Sequence, residues 1–425
     1  MVFVNNSILN INCLFISFLP IALVLGPAPA DIALSLTSFF FLIFIFLNKE
    51  WREFKNKFTY LFCIFYLYLL FTSLISENIF LSLESSLFYF RFLFFVLCLK
   101  YLINNNFFVL NYLFYSIFLT FLFLILDSYF QYFFGYNILG YSYDGIRLSG
   151  VFKDEKILGS YLSRITPIFI GLSIFFYGNS KTKIILILSL VILIDILVIL
   201  SGERTSIFYM FFSTFLIAIL ISKWKLYRII AFIISLIIST SIILTNEKVK
   251  DRVVTKTISQ VNLLGEKANT FSIQHQVIYS TALKIYVDNK IFGIGPKNFR
   301  EICKQKKYKT FTEIDQSVDG CQSHPHNTYV QLLTETGIIG FLFILLIFVF
   351  FSYLLLKHAF DFVTKRRFNL NDVSICLIVS TYITLWPFAP TGSFFNNWLS
   401  IVYYLPLGIL LSNIALGNKI SKKNI

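Results

Sequence analysis

An all-α polytopic membrane protein of about 12 transmembrane helices is the fold class this sequence predicts, from its composition and from the spacing of its apolar runs. The 425 residues are 57% hydrophobic and only 14% charged, with a mean hydropathy of +0.75, well outside the range of soluble globular domains. Apolar runs of roughly 20 residues, enough to cross a hydrocarbon core of about 30 Å, recur from end to end with short polar gaps. One long polar segment interrupts this regularity, and short helices are expected within it.

The runs fall near residues 9–27, 31–48, 58–76, 83–102, 107–127, 158–177, 183–200, 206–222, 227–245, 337–356, 373–390 and 395–415. The first, Leu9 to Leu25, has no charged stretch before it and is followed by Pro27, Pro29 and Asp31, so it reads as a first helix and not as a cleaved signal peptide. With the N-terminus in the cytoplasm, the basic clusters at Lys49 to Lys57, Lys181 to Lys183, Lys223 to Arg228, Lys357 to Arg367 and Lys419 to Lys423 all fall inside. The net charge of +14 is thereby accounted for by membrane orientation, which argues against a nucleic-acid partner. Five units follow: helices in 1–127, an outer loop in 128–159, helices in 160–245, the large outer loop in 246–336 and helices in 337–425. In the large loop, Ser272 to Val287 is expected to form a surface helix with apolar positions Val277, Ala282, Ile285 and Tyr286, ended by Gly293, Gly295 and Pro296.

Charges inside apolar runs are expensive in lipid, so Glu84, Arg91, Arg164 and Asp195 are expected to face the bundle interior or an interface, Glu84 and Asp195 in structural ion pairs. Cys13, Cys63, Cys98 and Cys376 lie in apolar runs, where a thiol acts as a small hydrophobe. Cys303 and Cys321 share the large loop and can form a disulfide if that loop faces an oxidising compartment; their spacing matches no metal site. The 52 phenylalanines read as packing and lipid-facing filler.

The most informative stretch is His324-Pro-His326-Asn327, followed after nine residues by Gly337-Ile-Ile-Gly340. An imidazole titrates near pH 6.5 and can take a proton from a hydroxyl nucleophile without a metal, and the glycines would let the next helix approach its neighbours. A helix-start histidine that caps backbone groups, with the glycines as packing residues, fits the same spacing.

That stretch resembles the signature of the O-antigen ligase-related family, which includes lipopolysaccharide O-antigen ligases, some O-antigen polymerases and bacterial O-oligosaccharyltransferases. Ser201-Gly-Glu-Arg204 resembles the family's Ser-Gly-x-Arg segment, Phe292-Gly293-Ile-Gly295-Pro296 its Gly-x-Gly-Pro turn, and Asp127 to Gly135 with Arg147-Leu-Ser-Gly-Val-Phe its earlier outer loop. The resemblance implies a glycosyltransferase of the cell inner membrane, with both termini cytoplasmic and a periplasmic active site. It implies an undecaprenyl-diphosphate-linked glycan as donor and lipid A-core, or a second lipid-linked glycan, as acceptor, with no cofactor and no metal. Residue by residue, Arg204 matches the arginine that holds the diphosphate and His326 the base for the acceptor hydroxyl; His324 and Asn327 flank it. A second family arginine falls in register with His275, so His275, Arg300 or Arg252 is expected to supply that contact. Arg147 and Arg164, the latter about two helical turns below the outer surface, are candidates to line the path of the diphosphate. Glu203 is a candidate salt-bridge partner for Arg204, and Tyr308 or Tyr329 a candidate platform for a sugar ring.

An O-antigen ligase is the preferred reading, with an O-antigen polymerase as alternative. The rival from another class is a flippase, which predicts an internal repeat and charges along a central cavity. No such repeat is visible, and the long histidine-bearing loop has no role in it.

Overall fold

The structure, a computed structural model, describes residues 2–105, 108–261, 271–310, 319–365 and 370–413; Arg366, Arg367 and the cluster from Lys419 to Lys423 lie outside these. The first six helices are α1 (Val2–Leu25), α2 (Pro27–Asn48), α3 (Lys57–Leu74), α4 (Ile79–Ser86), α5 (Arg91–Asn104) and α6 (Val109–Phe134). A 3-10 turn at Leu87–Phe90 joins α4 and α5 into one span. Next come α7 (Leu158–Tyr177), α8 (Lys181–Leu200), α9 (Arg204–Leu220) and α10 (Lys225–Thr245). The long polar segment holds α11 (Glu247–Lys250), α12 (Lys256–Val261), α13 (Ile273–Asp288), α14 (Phe299–Ile302) and α15 (Thr328–Glu335). The remaining helices are α16 (Gly337–Lys365), α17 (Asp372–Thr384) and α18 (Asn397–Leu410).

Among the described residues nine helices are long and apolar enough to cross a membrane, and α9, α17 and α18 are shorter apolar helices at three further expected spans. No strand occurs among them, and an isolated β-bridge joins Tyr136 to Ser142. The chain is therefore an all-helical, multi-pass membrane protein. Its outward faces carry Leu186, Leu226, Ile237 and Leu346, all exposed, as a lipid-facing surface requires. Helix α7 runs through the middle, packed against α8, α9 and α17, with 89% of its apolar window buried against 22% for α10 and α16. Gly171 of α7 permits the contact with α17, since a Cβ there would lie 2.9 Å from the Cβ of Cys376.

Helix α6 continues to Phe134, beyond the loop boundary expected at Ser128. Hydropathy drops at Asp127, Ser128 and Gln131, but these side chains are fully buried. Asp127 accepts from the Ile138 amide at 3.1 Å and Gln131 Oε1 from the Gly150 amide at 2.7 Å, so their polarity organises the 135–157 loop without ending the helix. In the long segment, α13 buries Val277, Ala282 and Ile285 as expected, with Tyr286 half-buried, and it ends at Asp288, before Gly293. A small core of Ile278, Ala282, Ile285, Phe299 and Ile302 holds this outer layer together, and Cys303 is disulfide-bonded to Cys321 within it.

Most charges inside the bundle are paired. Asp195 of α8 meets Arg228 of α10 at 2.8 Å, both almost fully buried, with Ser235 Oγ donating to the same carboxylate. Arg91 bonds Asp31 at 2.8 Å and donates to Asn397 of α18. Glu84 departs from expectation: it is exposed on the short helix α4 and joins no ion pair among the described residues. Asp195→Ala leaves the Arg228 guanidinium buried without its carboxylate and should destabilise the protein by about 3–5 kcal/mol. Thermal unfolding in detergent checks this, and an unchanged midpoint would mean that the pair does not hold α8 to α10.

Candidate functional site

The turn between α8 and α9 forms one wall of the site. Ser201 Oγ donates to the Val198 carbonyl at 2.7 Å and Gly202 turns left-handed at φ +64°, so Arg204 becomes the first residue of α9. The intervening Glu203 does not serve Arg204. Its carboxylate accepts from the Gly159 and Ser160 amides at 2.7 and 3.1 Å and from the Ser160 and Ser206 hydroxyls, which fastens the start of α7 to this turn. Burial raises the Glu203 carboxyl above its usual range, opposed by Ser160, Arg147 and these N–H groups.

Two more arginines reach the same turn from different loops. Arg147 donates to the carbonyls of Ser201, at 3.4 Å, and Lys156, at 3.0 Å, and Arg252 donates to the Gly202 carbonyl at 3.3 Å. A Cβ on Gly202 would lie 3.2 Å from Arg252 Cγ and 3.3 Å from Arg147 Cγ, so this glycine leaves the room in which the two chains converge. Burial lowers the Arg252 pKa, and the charges of Arg204 and Arg147 lower it further. Three guanidiniums thus gather where like charges repel, an arrangement suited to a polyanion.

The second wall is the outer layer, docked on the bundle through backbone. The Gly295 amide donates to the Glu335 carbonyl at 2.8 Å and the Ile338 amide to the Lys290 carbonyl at 2.9 Å. A Cβ on Gly293 would sit 2.5 Å from the Glu335 carbonyl carbon, and one on Gly337, at φ +64°, would collide with the Ile291 carbonyl. These glycines therefore let a loop approach the start of α16. That differs from the expected helix–helix role for Gly337; Gly340 faces Thr336 and Tyr68 of α3.

Three histidines then line up across the site. The His275 ring of α13 lies 6.1 Å from the His326 ring, and His326 lies 4.1 Å from His324, centroid to centroid. Ser272 shares a hydrogen bond of 2.7 Å with His275 Nδ1, and Ser323 one of 2.9 Å with His324 Nδ1, so both rings are held in place. His326 has φ +53°, a strained conformation, and its carbonyl accepts from the Thr391 amide at 2.8 Å. Burial lowers all three imidazoles: His326 below 6.5, His275 to about 4 with help from His326 and Arg204, and His324 to about 3 with help from His326. At neutral pH each is an uncharged base, so His275, despite its register, is not a cation in this site.

The other expected residues fall into structural positions. Asn327 caps α15 by accepting from the Tyr329 and Val330 amides and donates to the Pro387 carbonyl at 2.7 Å, so the asparagine performs the capping that the spacing also allowed to the histidine. Tyr308 is buried and donates to Asp288, and Tyr329 is buried and donates to the Leu385 carbonyl; neither offers a ring face to a sugar. Arg300 lies close enough to Glu335 and His324 to influence both. Arg164 is buried in α7 beneath the turn.

Glu335 escaped the sequence reading, although a lone carboxylate just ahead of the glycine pair was the available signal. Fully buried, it accepts from Gln331 at 2.9 Å and from the Phe299 amide at 3.4 Å, and burial pushes its carboxyl up to about 7. Among the described residues no three His, Cys, Asp or Glu side chains are disposed to hold a metal ion.

Residues 186–345 match the O-antigen ligase family. The matched segment opens within α8, takes in Arg204, Arg252, His275 and His326, and closes within α16; Arg147 and Arg164 precede it. No curated protein matches the chain.

Gly337→Ala puts a methyl group into the Ile291 carbonyl at a left-handed backbone position, so it should lower the thermal midpoint and the yield of folded protein. A variant as stable as wild type would show that the two segments can separate without cost.

Proposed function

We propose, from the match of residues 186–345 to the O-antigen ligase family, that this chain transfers a glycan from undecaprenyl diphosphate to a hydroxyl of a periplasmic acceptor, lipid A-core in preference to a second lipid-linked chain. The observation that carries the reading is the convergence of Arg147, Arg204 and Arg252 on the Gly202 turn with the neutral imidazoles of His275 and His326 beside them.

The chemistry follows from charge. In the donor, the sugar's anomeric carbon is bonded to a diphosphate oxygen. Acceptor oxygen bonds to that carbon as its proton passes to His326, and the bond to the diphosphate breaks with its electron pair left on the leaving oxygen. Guanidiniums remain charged and match phosphate oxygens in a planar fork, so Arg204 and Arg252 stabilise the charge that develops there. Arg252 takes the place that register assigns to His275, because a neutral imidazole cannot neutralise a phosphate. His275, held by Ser272, stands between Arg204 and His326 and fixes the acceptor side of the reacting carbon.

A transfer assay with purified protein, undecaprenyl-diphosphate-linked glycan and lipid A-core tests this. Arg204→Ala and His326→Ala should each lower turnover by about a hundredfold or more with folding retained. A lengthened lipid-linked glycan without lipid A-core product would identify a polymerase, and the absence of both products from folded wild type would favour a transporter.

The pH profile follows from the downward shift of His326. The base form is the active one, so kcat/KM should hold steady above pH 6.5 and fall as pH drops through the lowered imidazole pKa. Activity that rises on acidification would instead require a protonated histidine.

A further inference from the structure

One helical turn along α7 from Ser160 the bundle contains a buried cation, Arg164, that joins no ion pair among the described residues. Arg164 is 3% exposed. Its guanidinium donates to the carbonyl of Ser160 in its own helix, at 3.2 Å, and lies beside the Tyr209 hydroxyl, while its Nε meets no partner. No ion pair among the described residues includes it, and the Glu203 carboxylate at the start of its helix is taken up by the Gly159 and Ser160 amides and the Ser160 hydroxyl. The guanidinium carbon lies 4.6 Å from the centre of the Tyr209 ring. One aromatic face and one helix carbonyl return far less than the desolvation of a guanidinium in a membrane span.

The surroundings are polar and incompletely bonded. Tyr209 follows Arg204 by five residues, which places it about 7.5 Å deeper along α9. Tyr279 follows His275 by one turn of α13. His275 lies close enough to Arg204, and Tyr279 to Tyr209, for each pair to interact, so the two helices face each other at two levels. The upper level holds Arg204, His275 and His326; the lower holds Tyr209, Tyr279 and Arg164. Tyr403 of α18, within 3.3 Å of Thr328 Oγ1, closes the lower level on the Arg164 side. The hydroxyls of Tyr209 and Tyr279 are buried without a well-aligned hydrogen-bond partner.

We propose that this lower level is an anion pocket that takes the lipid-side phosphate of a prenyl diphosphate, with Arg164 as its cation and the tyrosine hydroxyls as its donors. The inference rests on the donor proposed above and adds where each half of that donor lies. A diphosphate carries its charges in line with its lipid chain, so a chain that descends into the bilayer sets one phosphate beneath the other. The Gly202 arginines hold the sugar-side phosphate, from which the glycan departs, and Arg164 holds the phosphate that stays with the lipid.

The test uses the full chain in detergent with farnesyl diphosphate, farnesyl monophosphate and inorganic pyrophosphate as probes, read by binding and by thermal midpoint. Wild type should bind farnesyl diphosphate about tenfold or more tighter than the monophosphate. Arg164→Gln should weaken both prenyl ligands by about tenfold or more while the diphosphate stays preferred, and its ligand-free midpoint should not fall, since a buried charge has been removed. Arg164→Lys should recover part of the affinity, and Arg204→Ala should bring the two ligands towards equality while leaving monophosphate binding within about twofold. Farnesyl monophosphate binding by Arg164→Gln as tight as by wild type, or pyrophosphate binding as tight as farnesyl diphosphate, would overturn the pocket while leaving the donor class intact. Failure of wild type to bind either prenyl phosphate would overturn both.

Discussion

The site exists because two stretches of backbone lie almost in contact, the Gly293–Gly295 turn against the segment from Glu335 to Gly337. Everything on the outer layer inherits its position from that contact. A side chain at Gly293 or Gly337 would push the layer away from the bundle and carry His275 away from Arg204. Glu335 reinforces the joint by accepting the Phe299 amide, while Gln331 beside it accepts the Phe394 amide at 2.8 Å and so brings in the loop before α18. A buried carboxyl and a buried amide thus connect three segments far apart in sequence, each satisfied by the others, as buried polar groups must be.

The buried charges divide into two kinds with different work. Arg228 with Asp195, and Arg91 with Asp31, are paired and join helices that lipid alone would not hold together. The arginines around Gly202 bring like charges close together, and Arg164 lies buried on α7. Like charges so placed oppose one another, whereas Asp195 and Arg228 hold each other.

Much of the site was legible as pattern. Ser201 to Arg204, Gly293 to Pro296 and His326 to Gly340 are the segments that meet in space, and His324, the weaker candidate, stands against His326. Direction was less legible than position. Asn327 looked like a ligand and is a cap, Glu203 looked like a partner for Arg204 and fastens α7, and Tyr308 and Tyr329 are buried where platforms were expected. A motif records which residue types stand at which spacing, and a one-residue change in helical phase decides whether a side chain faces the site or the core.

The sequence by itself determined the helices, because the hydropathy and length that make a span are local properties, complete within about 20 residues. It also determined which residues could carry chemistry. Only the tertiary structure decided that Arg252 joins Arg204 and Arg147 near the Gly202 turn, that burial and neighbouring charge lower the His275 imidazole, and that Arg164 is buried with no ion pair among the described residues. Those properties depend on burial and on charges contributed by distant segments. A guanidinium or an imidazole acquires its charge, its partner and its role from whatever the fold brings within a few ångströms of it.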